Sequence, residues 1–196
     1  MDLLDLYFQN EYDKLGHGWK LDKYDHMYLQ RYYNPEFKDK REENIKLLEI
    51  GVARGVSMRF WNEWFINGEI HGMDLYQQDG DVEYLENYNI KNVKICDALD
   101  KNIINKFDDG YFDYIIDDGS HELRDQLQAI ELWLQKIKPN GKLIVEDIRN
   151  ISYIPILIDS IKKNLSYEWN LYDLRHLEGR WYQHSILLEI IRNDKG

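Results

Sequence analysis

The chain reads as a single α/β domain built on a mostly parallel sheet, with an antiparallel last strand and helices on both faces. Three observations predict it. From residue 45 onward short apolar runs alternate with amphipathic segments, the ends of those runs carry glycine or aspartate, and the last two runs are joined by very few residues. At 196 residues the chain is long enough to bury its own core without disulfides or structural metals. Two parts are expected within it: an N-terminal segment, 1–44, rich in tyrosine and charge, and a ligand-binding domain, 45–196.

The strand-like runs are KLLEIGV (46–52), EIHGMDL (69–75), VKICDA (93–98), FDYIID (112–117) and KLIVED (142–147). Between the fourth and fifth, Leu123, Leu127, Ile130, Leu134 and Ile137 recur at helical spacing, until KPNG (138–141) breaks the pattern. A weaker helix starts at Ser57, which is placed to cap its first turn, and a third covers 153–164 with Pro155 tolerated near its start. The final runs, 167–176 and 184–192, are linked by LEGRWYQ (177–183), too short for a crossover helix, so they pair antiparallel. That link is also placed to overhang the strand ends.

A net charge of -11 disfavours nucleic acid and anionic membranes as partners and suits a small neutral or cationic substrate. Cys96 is the only cysteine, so no internal disulfide forms, and it reads as a small apolar strand residue. The acidic start MDLLDLYFQNEYDK does not read as a signal peptide, and no run approaches the ~20 apolar residues of a membrane span. A soluble, cytoplasmic protein is expected. Aromatic residues make up 14% of the chain, a surplus suited to stacking on sugar faces or to the interface of a homo-oligomer.

The stretch LLEIGVARGVS (47–57) is a strand, a turn with Gly51 and Gly55, and a helix start whose free amides favour an anionic or polar ligand. Its G-x-x-x-G spacing departs from the dinucleotide fingerprint, which disfavours a nicotinamide-dependent dehydrogenase. The second run ends in Asp74, placed to accept from ribose hydroxyls. The third ends in Asp97 and Ala98, placed to meet an adenine amino group with a carboxylate and a backbone amide. The fourth and fifth should end side by side, bringing Asp117, Asp118, Glu146 and Asp147 together. Such acids either hold a hard cation such as Mg2+ or are neutralised by Arg124 and Arg149, the nearest basic residues in sequence. His121 reads either as a general base beside the acids or as a polar residue at a helix start.

Glu49, Gly51, Gly55, Asp74 and Asp97 together resemble the class I S-adenosylmethionine-dependent methyltransferases, whose Rossmann-like sheet has seven strands with the last antiparallel. IIDDGSH (115–121) followed by VEDI (145–148), with DKYDHMYLQRYY (22–33) upstream, is similar to the metal-dependent macrolide-sugar O-methyltransferases and the related cephalosporin hydroxylase-like methyltransferases. The resemblance implies that Glu49, Gly51, Gly55, Ser57, Asp74, Asp97, Ala98 and Asp117 bind S-adenosylmethionine. It also implies that Asp118, Glu146 and Asp147 bind Mg2+, with His121 as general base. Lys23, His26, Tyr28 and Tyr32 would belong to a segment covering the cofactor or acceptor, and the acceptor would be a small molecule or sugar bearing a vicinal diol. Arg54 stands where many members have a small residue, and only 44 residues precede the first strand where the macrolide enzymes carry a large extra domain. A metal-independent methyltransferase and a non-catalytic nucleotide-binding module are the alternatives; no Asn/Asp-Pro-Pro-aromatic signature of base amino methylation is present.

Overall fold

A computed structural model describes residues 1–12, 21–76, 81–162, 166–177 and 183–194. The N-terminal segment contains helix α1 (Leu3–Gln9), the single turn α2 (Asp22–Asp25), a π-helical turn (Leu29–Tyr33) and α3 (Asn34–Phe37). There follow β1 (Lys46–Ile50), α4 (Val56–Trp64), β2 (Glu69–Asp74), α5 (Asp81–Asn87), β3 (Val93–Ile95), α6 (Lys101–Ile104) and β4 (Phe112–Asp117). The chain continues through α7 (Leu123–Trp133), a 3-10 turn (Leu134–Lys136), β5 (Ile137–Val145), α8 (Tyr153–Lys162), β6 (Tyr167–Asp173) and β7 (Ile186–Arg192).

The strands form one sheet in the order β3-β2-β1-β4-β5-β7-β6. β1 to β5 are parallel, and β7 runs antiparallel to both β5 and β6, as the short link between the last two runs required. The order reverses between β1 and β4, the position where open α/β sheets leave a crevice beyond the carboxyl ends of their strands. Register makes that edge level: Ile50 pairs with Asp117, and Asp117 with Val145, so the residues that follow emerge side by side.

Alternation along the strands divides the core between two faces. Leu47, Tyr114 and Ile144 point to one face, where α4 supplies Phe60, Trp61 and Trp64; Leu48, Ile115, Leu143 and Val145 point to the other, against Ile130 and Trp133 of α7 and Leu157 of α8. The tyrosines of the N-terminal segment belong to the first face. Tyr7, Tyr12, Tyr28, Tyr32 and Tyr33 are buried in that cluster, so these members of the aromatic surplus are core residues rather than a stacking surface.

Local departures from the expected elements have local causes. Helix α4 is capped by Gly55 at φ +82°, which puts Ser57 inside the first turn instead of at the cap. Helix α7 ends at Trp133, and the KPNG stretch is absorbed into β5 as an irregularity: pairing jumps from Phe112–Ile137 to Tyr114–Lys142. The linker overhang expected at 177–183 lies mostly outside the described residues. Among the described residues no helix is long and apolar enough to cross a membrane.

Candidate active site

A cleft of about 470 Å³ opens along the carboxyl ends of β1 to β4. Its lining includes Gly51, Asp74, Asp97, Ala98, Asp117, Asp118 and His121, so most of the residues singled out in the sequence share one cavity. Glu49, Gly55 and Ser57 stand behind the lining. Glu49 is fully buried, and Gly55 approaches the Leu85 side chain so closely that a Cβ there would come within 2.4 Å of it.

Gly51 is required twice over. Its φ is +83°, a region open to glycine, and a Cβ would lie 2.1 Å from the carbonyl oxygen of Asp118. The turn after β1 and the turn after β4 therefore touch backbone to backbone. Further along, Asp74 accepts hydrogen bonds from the amides of Ala53 (2.8 Å) and Tyr76 (3.2 Å), which ties the β1 turn to the end of β2. Asp97 accepts from the Leu99 amide (2.8 Å), while the carbonyl of Ala98 accepts from the Trp133 indole (3.0 Å).

Asp117 occupies the floor of the cleft. One oxygen is held by the Gly119 amide at 3.4 Å, and the other is buried without a partner. Burial pushes this carboxyl up to about 7, against the pull of the Gly119 amide and with the neighbouring Asp118 adding to the rise. An orphaned buried carboxylate oxygen in a cleft wall fits a ligand that brings a cationic or N–H group to it.

Beside it, Asp118, His121 and Asp147 each offer one ligand atom, and these atoms lie within 4.8 Å of one another. His121 (φ +59°) and Asp147 (φ +50°) both hold left-handed backbone conformations, which cost a non-glycine residue about 1 kcal/mol or more and persist where surrounding structure enforces them. For Asp147 the enforcer is Tyr28: its hydroxyl donates to Asp147 Oδ1 at 2.8 Å and lies 3.2 Å from the Asp147 amide, which donates back. His26 Nδ1 lies 3.3 Å from the same carboxylate oxygen and 3.0 Å from Ser185 Oγ. Burial raises the Asp147 carboxyl, Asp118 raises it further, and His26 and His121 oppose the shift. His121 Nδ1 is buried without a hydrogen-bond partner.

Glu146 is placed differently. It is buried, and both oxygens are engaged: Oε2 by Lys23 Nζ at 2.5 Å and Oε1 by the Tyr33 hydroxyl, which donates at 2.5 Å. Lys23 also lies 2.8 Å from Asp118 Oδ2 and 3.0 Å from Glu49 Oε1. Burial works against the Lys23 charge, but Asp118, Glu146 and Glu49 outweigh it and hold the ammonium well above its usual range. Arg124 and Arg149, the nearest basic residues in sequence, stood as the alternative neutralising cations, and Lys23 takes that place. The cation comes from the N-terminal segment, 123 residues from Glu146 in sequence, whereas Arg149 pairs with Glu122 at the surface. Tyr32 leaves the acid edge altogether and donates to Glu189 at 2.8 Å.

Sequence reasoning passed over Tyr33, which orders Glu146, while Asp22, the first member of the DKYDHMYLQRYY segment, lines the cleft. Cys96 is no core strand residue: it follows the last residue of β3, is half-buried, and lines the cleft beside Asp97. The signal was its position between a strand and the aspartate that ends it.

A sheet that reverses at β1/β4, a glycine turn fused to the β4 turn, and acids at three successive strand ends define an α/β fold of the methyltransferase class. The "Methyltransferase domain" family model matches residues 48–148, and the chain belongs to that family. It is 28% identical over 126 residues to mycinamicin VI 2''-O-methyltransferase of Micromonospora griseorubida, covering 60% of this chain and 30% of that protein. It is 29% identical to demethylmacrocin O-methyltransferase of Streptomyces fradiae, covering 60% of this chain and 31% of that protein. The chain thus spans about a third of the length of these curated relatives. In three dimensions it resembles the MycE methyltransferase from the mycinamycin biosynthetic pathway, solved in complex with Mg and SAH: TM-score 0.63 at 21% identity, covering 100% of this chain and 56% of that one.

Proposed function

We propose that this chain is an S-adenosylmethionine-dependent, Mg2+-dependent O-methyltransferase acting on a hydroxyl of a small molecule or sugar that carries a vicinal diol. The observation that carries the reading is the convergence of Asp118, His121 and Asp147 at the cleft that Asp74, Asp97 and Asp117 also shape. The relatives' names support methylation on oxygen, one being a mycinamicin VI 2''-O-methyltransferase and another a demethylmacrocin O-methyltransferase, and MycE was solved with Mg and SAH.

The residues fit both groups. Asp74 and Asp97, at the ends of β2 and β3, would hold the nucleoside, and the partnerless oxygen of Asp117 would hold the positively charged methionine end. Asp118 and Asp147 offer hard carboxylate oxygens suited to Mg2+. When bound, the cofactor supplies an electrophilic methyl group on sulfur, and the metal lowers the pKa of an acceptor hydroxyl.

His121 would take the proton from the acceptor hydroxyl as general base. Asp118 and Asp147 hold the acceptor end of the cleft, and Tyr28 holds Asp147 in its strained conformation so that the set is ordered before substrate arrives. The cleft walls then orient the acceptor oxygen for direct displacement.

The test is turnover. Formation of S-adenosylhomocysteine from S-adenosylmethionine is followed with a panel of sugar diols, in Mg2+ and in chelator. Activity that needs both a diol and the metal supports the reading. Activity that persists in chelator points to the metal-independent alternative, which the neutralisation of Glu146 by Lys23 favours. Cofactor binding without turnover on any acceptor, and without metal binding, points to a non-catalytic nucleotide-binding module.

A further inference from the structure

We propose that Lys23 is a resident cation of the acid edge and a positioning residue for it. Its ammonium occupies the place among Glu49, Glu146 and Asp118 that a divalent ion would otherwise neutralise, and it leaves Asp118 and Asp147, beside His121, as the groups open to a metal. The inference deepens the metal-dependent reading above and rests on it for the role of those three groups.

Geometry carries the assignment. An ammonium has three N–H donors and no acceptor, and Lys23 Nζ has three carboxylate neighbours, at 2.5, 2.8 and 3.0 Å. Those carboxylates come from β1, from the turn after β4 and from the residue after β5, so one side chain ties three strand ends together. Lys23 is 1% exposed, which leaves no solvent to share its charge.

The remaining valences close the cluster on one side only. The second oxygen of Glu146 is taken by Tyr33, so Glu146 has no oxygen left for a metal unless it turns away from both partners. Asp118 is different: Lys23 bonds one oxygen, Oδ2, and the residue also lines the cleft and offers a carboxylate oxygen within 4.8 Å of ligand atoms of His121 and Asp147. A buried carboxylate is stabilised by whichever cation reaches it, and here the chain supplies one of its own. Because Lys23 rides on α2, docking of the N-terminal segment and assembly of the acid edge become one event.

The test uses Mn2+ as the probe, followed by electron paramagnetic resonance on the full chain. The wild type, Glu146→Gln, Asp118→Asn, Lys23→Met and the double variant Lys23→Met/Glu146→Gln are compared. Glu146→Gln should shift the wild-type Mn2+ affinity by less than about threefold, whereas Asp118→Asn should weaken it about tenfold or more. Lys23→Met should bind Mn2+ about tenfold more tightly than wild type, and the double variant should lose that gain. A salt bridge with a purely structural role would not create a Glu146-dependent metal site.

Equal losses for Glu146→Gln and Asp118→Asn, or no gain in Lys23→Met, would overturn the assignment. Where Lys23→Met does not fold without metal, folding restored by Mn2+ and dependent on Glu146 supports it, and the Glu146→Gln arm in the wild-type background still decides. Absence of Mn2+ binding in the wild type would sink the metal-dependent reading alone. Appearance of a Glu146-dependent site in Lys23→Met would then still support the resident cation, and its non-appearance would overturn it.

Discussion

Two sets of acids end the strands of this sheet, and they have opposite fates. Glu49 and Glu146 are buried, and Lys23 reaches both of them, with Tyr33 adding a hydrogen bond to Glu146. Asp117, a residue before the turn, lines the open cleft with one oxygen unpartnered, and Asp118 and Asp147 gather beside His121. The strands, the edge and the residue types are nearly the same. Lys23 also touches Asp118, so what differs is position: Glu49 and Glu146 are buried away from the cleft lining, whereas Asp117 and Asp118 form part of it.

The sharpest way to break this contrast is to remove the base from the open set. His121→Ala is expected to lower kcat by about 10²- to 10⁴-fold while S-adenosylhomocysteine affinity stays within about twofold, measured by turnover and by calorimetric titration. An equal loss in both would mean that His121 supports the cleft instead of the chemistry.

Next in size is Gly51→Ala, which forces a Cβ toward the Asp118 carbonyl in a left-handed position. A loss of roughly 3 kcal/mol in unfolding free energy is expected, along with cofactor binding, because both turns must shift. The buried set is probed by Tyr33→Phe. Removing a buried donor from Glu146 is expected to cost about 1.5–3 kcal/mol in denaturant unfolding, and a change under ~0.5 kcal/mol would show that the bond is dispensable.

Asp117 gives a smaller, pH-dependent effect. The folded chain holds this proton up to about 7, whereas an unfolded aspartate releases it near ~3.9. Between those values the native state binds more protons than the unfolded one, so stability conferred by the buried neutral acid is present at low pH and is lost as pH rises through 7. The thermal midpoint of the ligand-free chain should therefore rise on going from pH 8 to pH 6, and Asp117→Asn should flatten that slope. Cofactor affinity should move the opposite way, weakening by at most about tenfold per unit below pH 7, since the ionised carboxylate meets the ligand's charge. Smallest of all is the surface pair Arg149–Glu122, where both partners are well exposed: Arg149→Ala should change stability by less than ~1 kcal/mol.

Much of the open set was legible in the sequence. Apolar runs ending in Asp74, Asp97 and Asp117 mark strand ends, and Gly51 marks a turn that a side chain would obstruct, so the cleft lining followed from local pattern. The buried set was not legible, because Lys23 and Tyr33 reach Glu146 from 123 and 113 positions away and nothing local to Lys23 marks it as that partner. The left-handed backbone at His121 and Asp147 was equally silent, since neither residue type announces that conformation. The aromatic surplus suited stacking on sugar faces or a subunit interface, whereas Tyr7, Tyr12, Tyr28, Tyr32 and Tyr33 are buried with Trp61 in one face of the core.

The most direct measurement is calorimetric titration with S-adenosylhomocysteine, followed by Mg2+, on the wild type and on Asp118→Ala. Binding of both ligands to the wild type, with loss of the metal alone in the variant, is the result expected of an open acid set beside a cofactor cleft. Metal binding that survives in Asp118→Ala, or a wild type that takes no cofactor, would contradict it.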